Sequence, residues 1–404
     1  MKSWVEISEQ RLAANYRLLS AAAGNDLSVL AVVKANAYGH GAELCAPVLA
    51  AAGAQWFGVT DAAEGATVRA ALTEAGTPAK HQPRVLVMSE SLDEDAETIV
   101  HHRLTPVVSS VDQLESLART LQDRHQQQPF EVHLEIDTGM ARQGVSPGAP
   151  LHRILEWLGT QSTIRLDGVM THFASAEIAG SHQTASQRIL FEEAVAQIAT
   201  SGLRPGWIHA GNSSTVDNPA EGPLPWLDTL ARGLGARAMV RSGLALYGYA
   251  LPLECEQSYP GPVKTVTPQV RARLQTVMTW RARITALREI EADERIGYNG
   301  TFTSERRMRL ALLPVGYADG LRRELSSTNA HRGGWVILRG ERAPIVGRVS
   351  MNLTIVDVTA IPAAALGDEA IVLGEGITAD DHARIAGTIP YEILCAVKEK
   401  RVLR

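Results

Sequence analysis

Cysteine is scarce in this chain. Cys45, Cys255 and Cys395 stand far apart among 404 residues, an odd number without the spacing of a metal site or a disulfide framework. We read them as small buried side chains in a reducing compartment, and no metal is expected. Long basic runs are missing as well. With 39 Lys and Arg against 44 Asp and Glu, the net charge is −5, and no cluster could follow a phosphate backbone. That argues against nucleic acid as the main partner and favours a small molecule. Nor is there a membrane-length apolar run: the charge-free stretch from Cys45 to Thr60 is punctuated by Pro47, Gly53 and Gln55, and reads as a helix end, a turn and a short strand. Glu6 stands where a signal peptide would need an apolar core. A cytoplasmic protein with no membrane partner is expected.

What is present is an ordinary globular composition, 45% hydrophobic and 21% charged, in a chain longer than one core usually serves. Through residue 248, short apolar runs alternate with amphipathic stretches. Eight runs read as strands: Ser28 to Val33, Trp56 to Thr60, Arg84 to Met88, Thr105 to Ser109, Glu131 to Ile136, Leu166 to Thr171, Trp207 to Ala210 and Ala238 to Arg241. Helical periodicity lies between them, as in Val111 to Leu121 and Ala185 to Thr200. Eight strand-then-helix repeats predict an N-terminal (β/α)8 TIM-like barrel over an open doubly wound sheet. Beyond it, Gln269 to Ile290 alternates polar with apolar residues, and Arg309 to Leu313, Trp335 to Leu338 and Leu353 to Val358 follow as short strands. The expected fold class is therefore α/β, a barrel domain over 1–248 and a mostly-β C-terminal domain over 249–404, with the Pro-rich Leu251 to Val266 as linker. The first residues, roughly ten, are assigned to pack with the C-terminal domain.

Active sites of such barrels lie at the C-terminal strand ends. Lys34 follows the first strand directly, in a partly desolvated place where an amine becomes a usable nucleophile or Schiff-base former. Taken alone, a strand-end lysine reaching for solvent is the plainer reading. Asn212-Ser213-Ser214 follows strand seven and Arg241-Ser242-Gly243-Leu244 follows strand eight, the two loops that most often build a phosphate site in this fold. Turn chemistry explains each separately. Together with Lys34 they suggest a phosphorylated aldehyde cofactor.

At this point several motifs in order carry a resemblance: Ala31-Val-Val-Lys34-Ala-Asn-Ala-Tyr38-Gly-His-Gly, Asp137-Thr-Gly-Met-Ala-Arg142, Thr171-His172-Phe, Asn212-Ser213, Arg241-Ser-Gly243-Leu244, Gly297-Tyr298-Asn-Gly, Gly316-Tyr317-Ala-Asp-Gly, Gly347-Arg-Val-Ser-Met351 and Tyr391-Glu-Ile-Leu-Cys. The whole chain resembles the alanine racemases, two-domain fold-type III enzymes. The resemblance implies a homodimer with active sites shared between subunits, pyridoxal 5′-phosphate as cofactor and a small amino acid as substrate. Position by position, Lys34 would carry the cofactor, Tyr38, Ser213, Gly243, Leu244 and Tyr391 would hold its phosphate, Asn212 would also belong to the cofactor site, and His172 would support the ring. Arg241 would face the pyridine nitrogen. Lys34 and Tyr298 would be the two catalytic bases on opposite faces of Cα, with Tyr298 and Met351 reaching into the other subunit's site. Arg142, Met351 and Tyr317 would bind substrate. A phenol needs a nearby cation or donor to act as a base, and Arg142 is the candidate.

The sequence departs from that pattern at Glu135, where the family often has a lysine carrying a carbamate. The glutamate is expected to replace that anion and fix Arg142. Asn352 stands where aspartate is usual, Ser350 where cysteine is frequent, and Leu403 where proline is common. Three rival readings are a broad-specificity or serine racemase of the same fold, a non-catalytic cofactor-binding protein, and a fold-type III decarboxylase. Tyr391 as a bulky wall favours alanine over larger substrates. The second domain with Tyr298 disfavours the non-catalytic reading, and Arg241 disfavours the decarboxylase.

Overall fold

The computed structural model describes residues 1–125, 128–220, 222–256 and 266–404. Eight parallel strands close into a barrel: Leu27–Val32, Trp56–Val59, Arg84–Val87, Thr105–Val108, Phe130–Glu135, Ile164–Met170, Trp207–His209 and Arg237–Ser242. The last pairs with the first, Val240 opposite Val29. Each lies within two residues of an apolar run read from the sequence, because strands buried on both faces are near-continuous Val, Ile, Leu and Ala. The helices Val111–Asp123 and His182–Thr200 extend the two periodic stretches named above. Ser110 caps the first of these by accepting from the Gln113 N–H. This barrel unit comprises Leu12–Ala37 and Ala42–Gln275.

A second compact unit contains Met1–Arg11, Tyr38–Gly41 and Thr276–Arg404. The N-terminal strand Ser3–Ile7 lies in its six-stranded sheet, antiparallel to Met278–Arg283 and parallel to the C-terminal strand Arg401–Leu403. A three-stranded sheet joins Ala286–Ile290, Met308–Leu313 and Thr354–Asp357. Ile290, Ile296, Met308, Leu310 and Val346 form a core cluster in this unit.

Two expectations need correction. The alternating stretch Gln269 to Ile290 is not one long antiparallel element. It holds a short turn at Arg271–Arg273 and then two strands in different sheets, Arg283 pairing with Glu369 and Ala286 with Leu312. Alternation reports a half-buried strand but not its partner. The cysteines also differ: Cys45 is buried, Cys255 half-buried and Cys395 exposed. Part of the expected linker lies outside the described residues, while its Glu254–Cys255 segment pairs with Ile178–Ala179. No helix among the described residues is long and apolar enough to cross a membrane.

Candidate active site

Lys34 is half-buried just past the first barrel strand. The next four residues, Ala35, Asn36, Ala37 and Tyr38, take φ values of 51, 53, 54 and 52°, a left-handed turn without glycine. Such backbone costs about 1–2 kcal/mol per residue and persists only where the surroundings impose it. Here Glu64 imposes it: its carboxylate accepts from the Ala35 N–H at 2.6 Å and from the Thr60 N–H at 2.7 Å. Asn36 adds an acceptor for the Ala42 N–H at 2.8 Å. The strand-end lysine is thereby held by local geometry rather than left to wander.

Arg241, on the last strand, is 4% exposed. Its guanidinium donates to Nδ1 of His209 at 3.2 Å, to the Thr171 carbonyl at 2.8 Å and to Nδ1 of His172 at 3.2 Å. All three acceptors are neutral. Burial, and then the cations Arg241, Arg142 and Lys34, pull the His172 pKa down to about 3. The same crowding identifies Lys34, Arg142, His172 and Arg241 as one electrostatic neighbourhood at the barrel's C-terminal end.

Strands seven and eight meet through Ser213. Its hydroxyl accepts from the N–H groups of Gly243 at 3.0 Å and Ala245 at 3.3 Å, and shares a hydrogen bond with Ser242 Oγ at 3.2 Å. Leu244 is buried in the same turn. Asn212 has its own task. Its Oδ1 caps the following turn by accepting from the Ser214 and Thr215 N–H groups.

The loop carrying Arg142 is shaped by Asp137, whose Oδ1 accepts from the N–H groups of Gly139, Met140 and Ala141 at 2.9, 3.0 and 3.1 Å. Glu135 is buried beneath it and bonds to the Gln143 side-chain amide, which also donates to the Met88 carbonyl at 2.7 Å. Among the described residues no ion pair joins Glu135 to Arg142. The side-chain bond of Glu135 goes to the neighbouring Gln143, while the Val145 N–H returns onto the Glu135 carbonyl. Burial pushes the Glu135 carboxyl above the usual range, opposed by Gln143, Arg241 and Arg142.

The remaining candidates belong to the second unit. The rings of Tyr38 and Tyr391 lie 5.9 Å apart. Burial, then Tyr391 and Cys395, push the Tyr38 phenol well above its ordinary range, so it is held as a donor. Tyr298 sits in a turn made possible by positive φ at Gly297, Asn299 and Gly300 and is 68% exposed. The turn bearing Tyr317 rests on the segment of Met351: the Tyr317 N–H donates to the Ser350 carbonyl at 3.0 Å and the Ala318 N–H to Met351 at 2.9 Å. A Cβ on Gly316 would lie 2.2 Å from the Ser350 oxygen, so only glycine fits. Asn352 donates to both Asp319 oxygens at 3.2 and 3.3 Å, a bond an ionised aspartate there could not make. Leu403 stands opposite Ile7 in the ladder, and nothing in the structure explains its choice over proline.

Compared with known families, residues 7–251 match the alanine racemase N-terminal domain and residues 277–404 the alanine racemase C-terminal domain. The chain belongs to the alanine racemase family. It is 34% identical to an alanine racemase of Syntrophobacter fumaroxidans, over 99% of this chain and 96% of that protein. A second, from Symbiobacterium thermophilum, is 33% identical over 98% and 95%. Among solved structures, the alanine racemase from Streptomyces coelicolor A3(2) superposes with a TM-score of 0.84 at 30% identity, covering 100% and 97%. The alanine racemase from Bartonella henselae with covalently bound pyridoxal phosphate gives 0.78 at 26%, covering 100% of both chains. Membership of this family makes the chain an isomerase with alanine racemase activity.

Sequence reasoning missed Glu64, Gln143 and His209. The first two lie on a helix and a loop with nothing to mark them. His209, inside the apolar run Trp207 to Ala210, could have been flagged as a polar residue in a buried strand.

Proposed function

We propose that the chain interconverts L- and D-alanine with pyridoxal 5′-phosphate, using Lys34 and Tyr298 as bases on opposite faces of Cα in a two-fold dimer. Racemisation needs two such groups, because one group on one face tends to return its proton with the original configuration. The residues fit the cofactor. Lys34 would carry it, and the neutral donors around Ser213, Gly243 and Leu244, with Tyr38 and Tyr391, would hold its phosphate. When bound, the cofactor supplies an electron-withdrawing ring that acidifies the substrate Cα–H.

The observation that carries this reading is the buried Arg241 guanidinium, hydrogen-bonded among the described residues only to neutral acceptors. An arginine has five N–H donors and no acceptor, so three bonds leave donors for a ring nitrogen that it can hold without protonating. That limits charge delocalisation and favours prompt return of a proton to Cα by Lys34 or Tyr298. Neutral His172 supports the ring side without adding a competing acid. Arg142 would take the substrate carboxylate, with the Met351 N–H and Tyr317 at the same end. The exposure of Tyr298, Met351 and Tyr317, at 68%, 57% and 44%, supports a partner subunit covering them.

The test is racemisation of L-alanine in deuterated water by wild type, Lys34→Ala and Tyr298→Phe. Wild type should incorporate deuterium at Cα while inverting configuration, and Tyr298→Phe should retain exchange from one enantiomer but lose inversion. Inversion at wild-type rate by Tyr298→Phe would refute the two-base reading.

A further inference from the structure

The barrel interior holds a line of polar groups of which the reaction described above uses only the first. It begins at Arg241, near the C-terminal end of its strand. Arginine only donates, so Nδ1 of His209, 3.2 Å away, must be an acceptor and the His209 proton must sit on Nε2. That Nε2 lies 2.9 Å from Nδ1 of His133. Nδ1 of His133 must then accept as well, which puts the His133 proton on its own Nε2. This last nitrogen is buried, lacks a hydrogen-bond partner of normal length, and faces Oδ2 of Asp167 at 3.6 Å. An N–H directed at a carboxylate is favourable at that distance, whereas a lone pair there would be repelled.

Asp167 is fixed as an anion by Arg84, at 2.6 Å, and Arg165, at 3.1 Å. Both arginines sit at the starts of their strands, so the line runs from the C-terminal to the N-terminal end of the barrel. Glu131 also faces Arg84, at 2.6 Å, and Trp56 stacks under the same guanidinium at 4.0 Å. Space for the His133 ring is built in. A Cβ on Gly168 would fall 2.5 Å from it, and the pairing of the two strands shifts register at Val132 and His133. Both imidazoles are completely buried, which favours their neutral forms.

We propose that His133 and Asp167 are positioning residues for Arg241, acting through His209 by a one-way chain of donors whose direction the Asp167 carboxylate sets. Each ring has only one tautomer compatible with both neighbours, so the carboxylate at one end decides which His209 nitrogen meets Arg241 at the other. With the opposite tautomer, His209 would point an N–H at the guanidinium and push it out of place. The inference rests on the role given to Arg241 under the proposed function.

Neutron diffraction from crystals of the wild-type holoenzyme reads the chain directly. The expected result is a deuteron on Nε2 of His209 and on Nε2 of His133, with neither Nδ1 deuterated. A deuteron on either Nδ1 would overturn the proposal, whatever reaction the enzyme catalyses. In solution, His133→Leu and Asp167→Asn should lower kcat by roughly 10- to 100-fold, the scale of a displaced reacting group, with KM nearly constant. They should also raise the ratio of abortive transamination to racemisation. His133→Asn, whose carbonyl oxygen can stand where Nδ1 stood, should recover part of the loss. Folded variants with wild-type kcat and an unchanged ratio would refute the positioning role. Wild-type tautomers as expected, together with a protein that racemises no amino acid, would instead locate the failure in the proposed function.

Discussion

Glu135 bonds to the side-chain amide of Gln143, one residue past Arg142, and makes no ion pair with Arg142 itself. If the carboxylate serves Arg142, it does so through its charge and the loop between them. Replacing Glu135 by Gln keeps the shape and removes the charge, so Arg142 should bind the substrate carboxylate from a less defined position. The expected outcome is a raised Michaelis constant or a slower half-reaction at Tyr298, read from initial rates in both directions. The same variant has a signature in stability. Because burial raises the folded-state pKa of Glu135, folding favours its protonated form, and that contribution is lost as pH rises through the raised value. Glu135→Gln should accordingly gain stability relative to wild type as pH rises from 4 upward, measured by denaturant unfolding; a pH-independent difference would contradict it.

His382 offers the opposite sign. It is buried, and burial brings its pKa down to about 4, opposed by Asp381 and the Val372 backbone. The unfolded chain takes up a proton near pH 6.5 that the folded chain refuses, so stability present above that pH is lost as pH falls toward 4. Replacement by Gln should flatten the pH dependence of unfolding in this window by about 1.4 kcal/mol per pH unit. An unchanged slope would mean that the folded site already accepts the proton.

Gly168→Ala tests the packing of the barrel interior. The new methyl meets the His133 ring, which is enclosed by Trp56 at 5.2 Å and His209 at 4.9 Å between ring centroids. Overpacking of this kind costs about 1–3 kcal/mol. Urea titrations of the two proteins should differ by that amount, and equal midpoints would show that the ring can move aside.

Mixing two inactive proteins tests the shared active site. If Tyr298 serves the neighbouring subunit, a heterodimer of Lys34→Ala and Tyr298→Phe chains contains one intact site and one doubly defective site. Random reassociation of an equal mixture should recover about one quarter of wild-type activity. If both bases came from one chain, the mixture would stay inactive.

The barrel was legible because its strands are short, apolar and regularly spaced; the limits read from the sequence fall within two residues of those observed. Lys34 and Ser213 were legible as candidates because a polar residue after a buried strand marks the strand's C-terminal end, whereas Arg241 lies inside its own strand, Arg237–Ser242, with Gly243 just after it. Pairing was not. The stretch Gln269 to Ile290 shows alternation, yet its two strands belong to different sheets, and register depends on partners as distant as Ser3, which stands opposite Ala282.

The order of motifs along the chain, set by local pattern and residue type, determined the family and the barrel and singled out the candidate reactive groups. Tertiary structure decided what each group touches: Glu64 beneath the left-handed turn after Lys34, Gln143 rather than Arg142 on Glu135, and His133 between His209 and Asp167. Gln143 reaches Glu135 by the local return of its loop, whereas the contacts of Glu64 and His133 join residues on different strands and helices that the barrel brings within hydrogen-bond or ion-pair range. A single side chain's chemistry states what it can donate or accept, and only the fold supplies the partner.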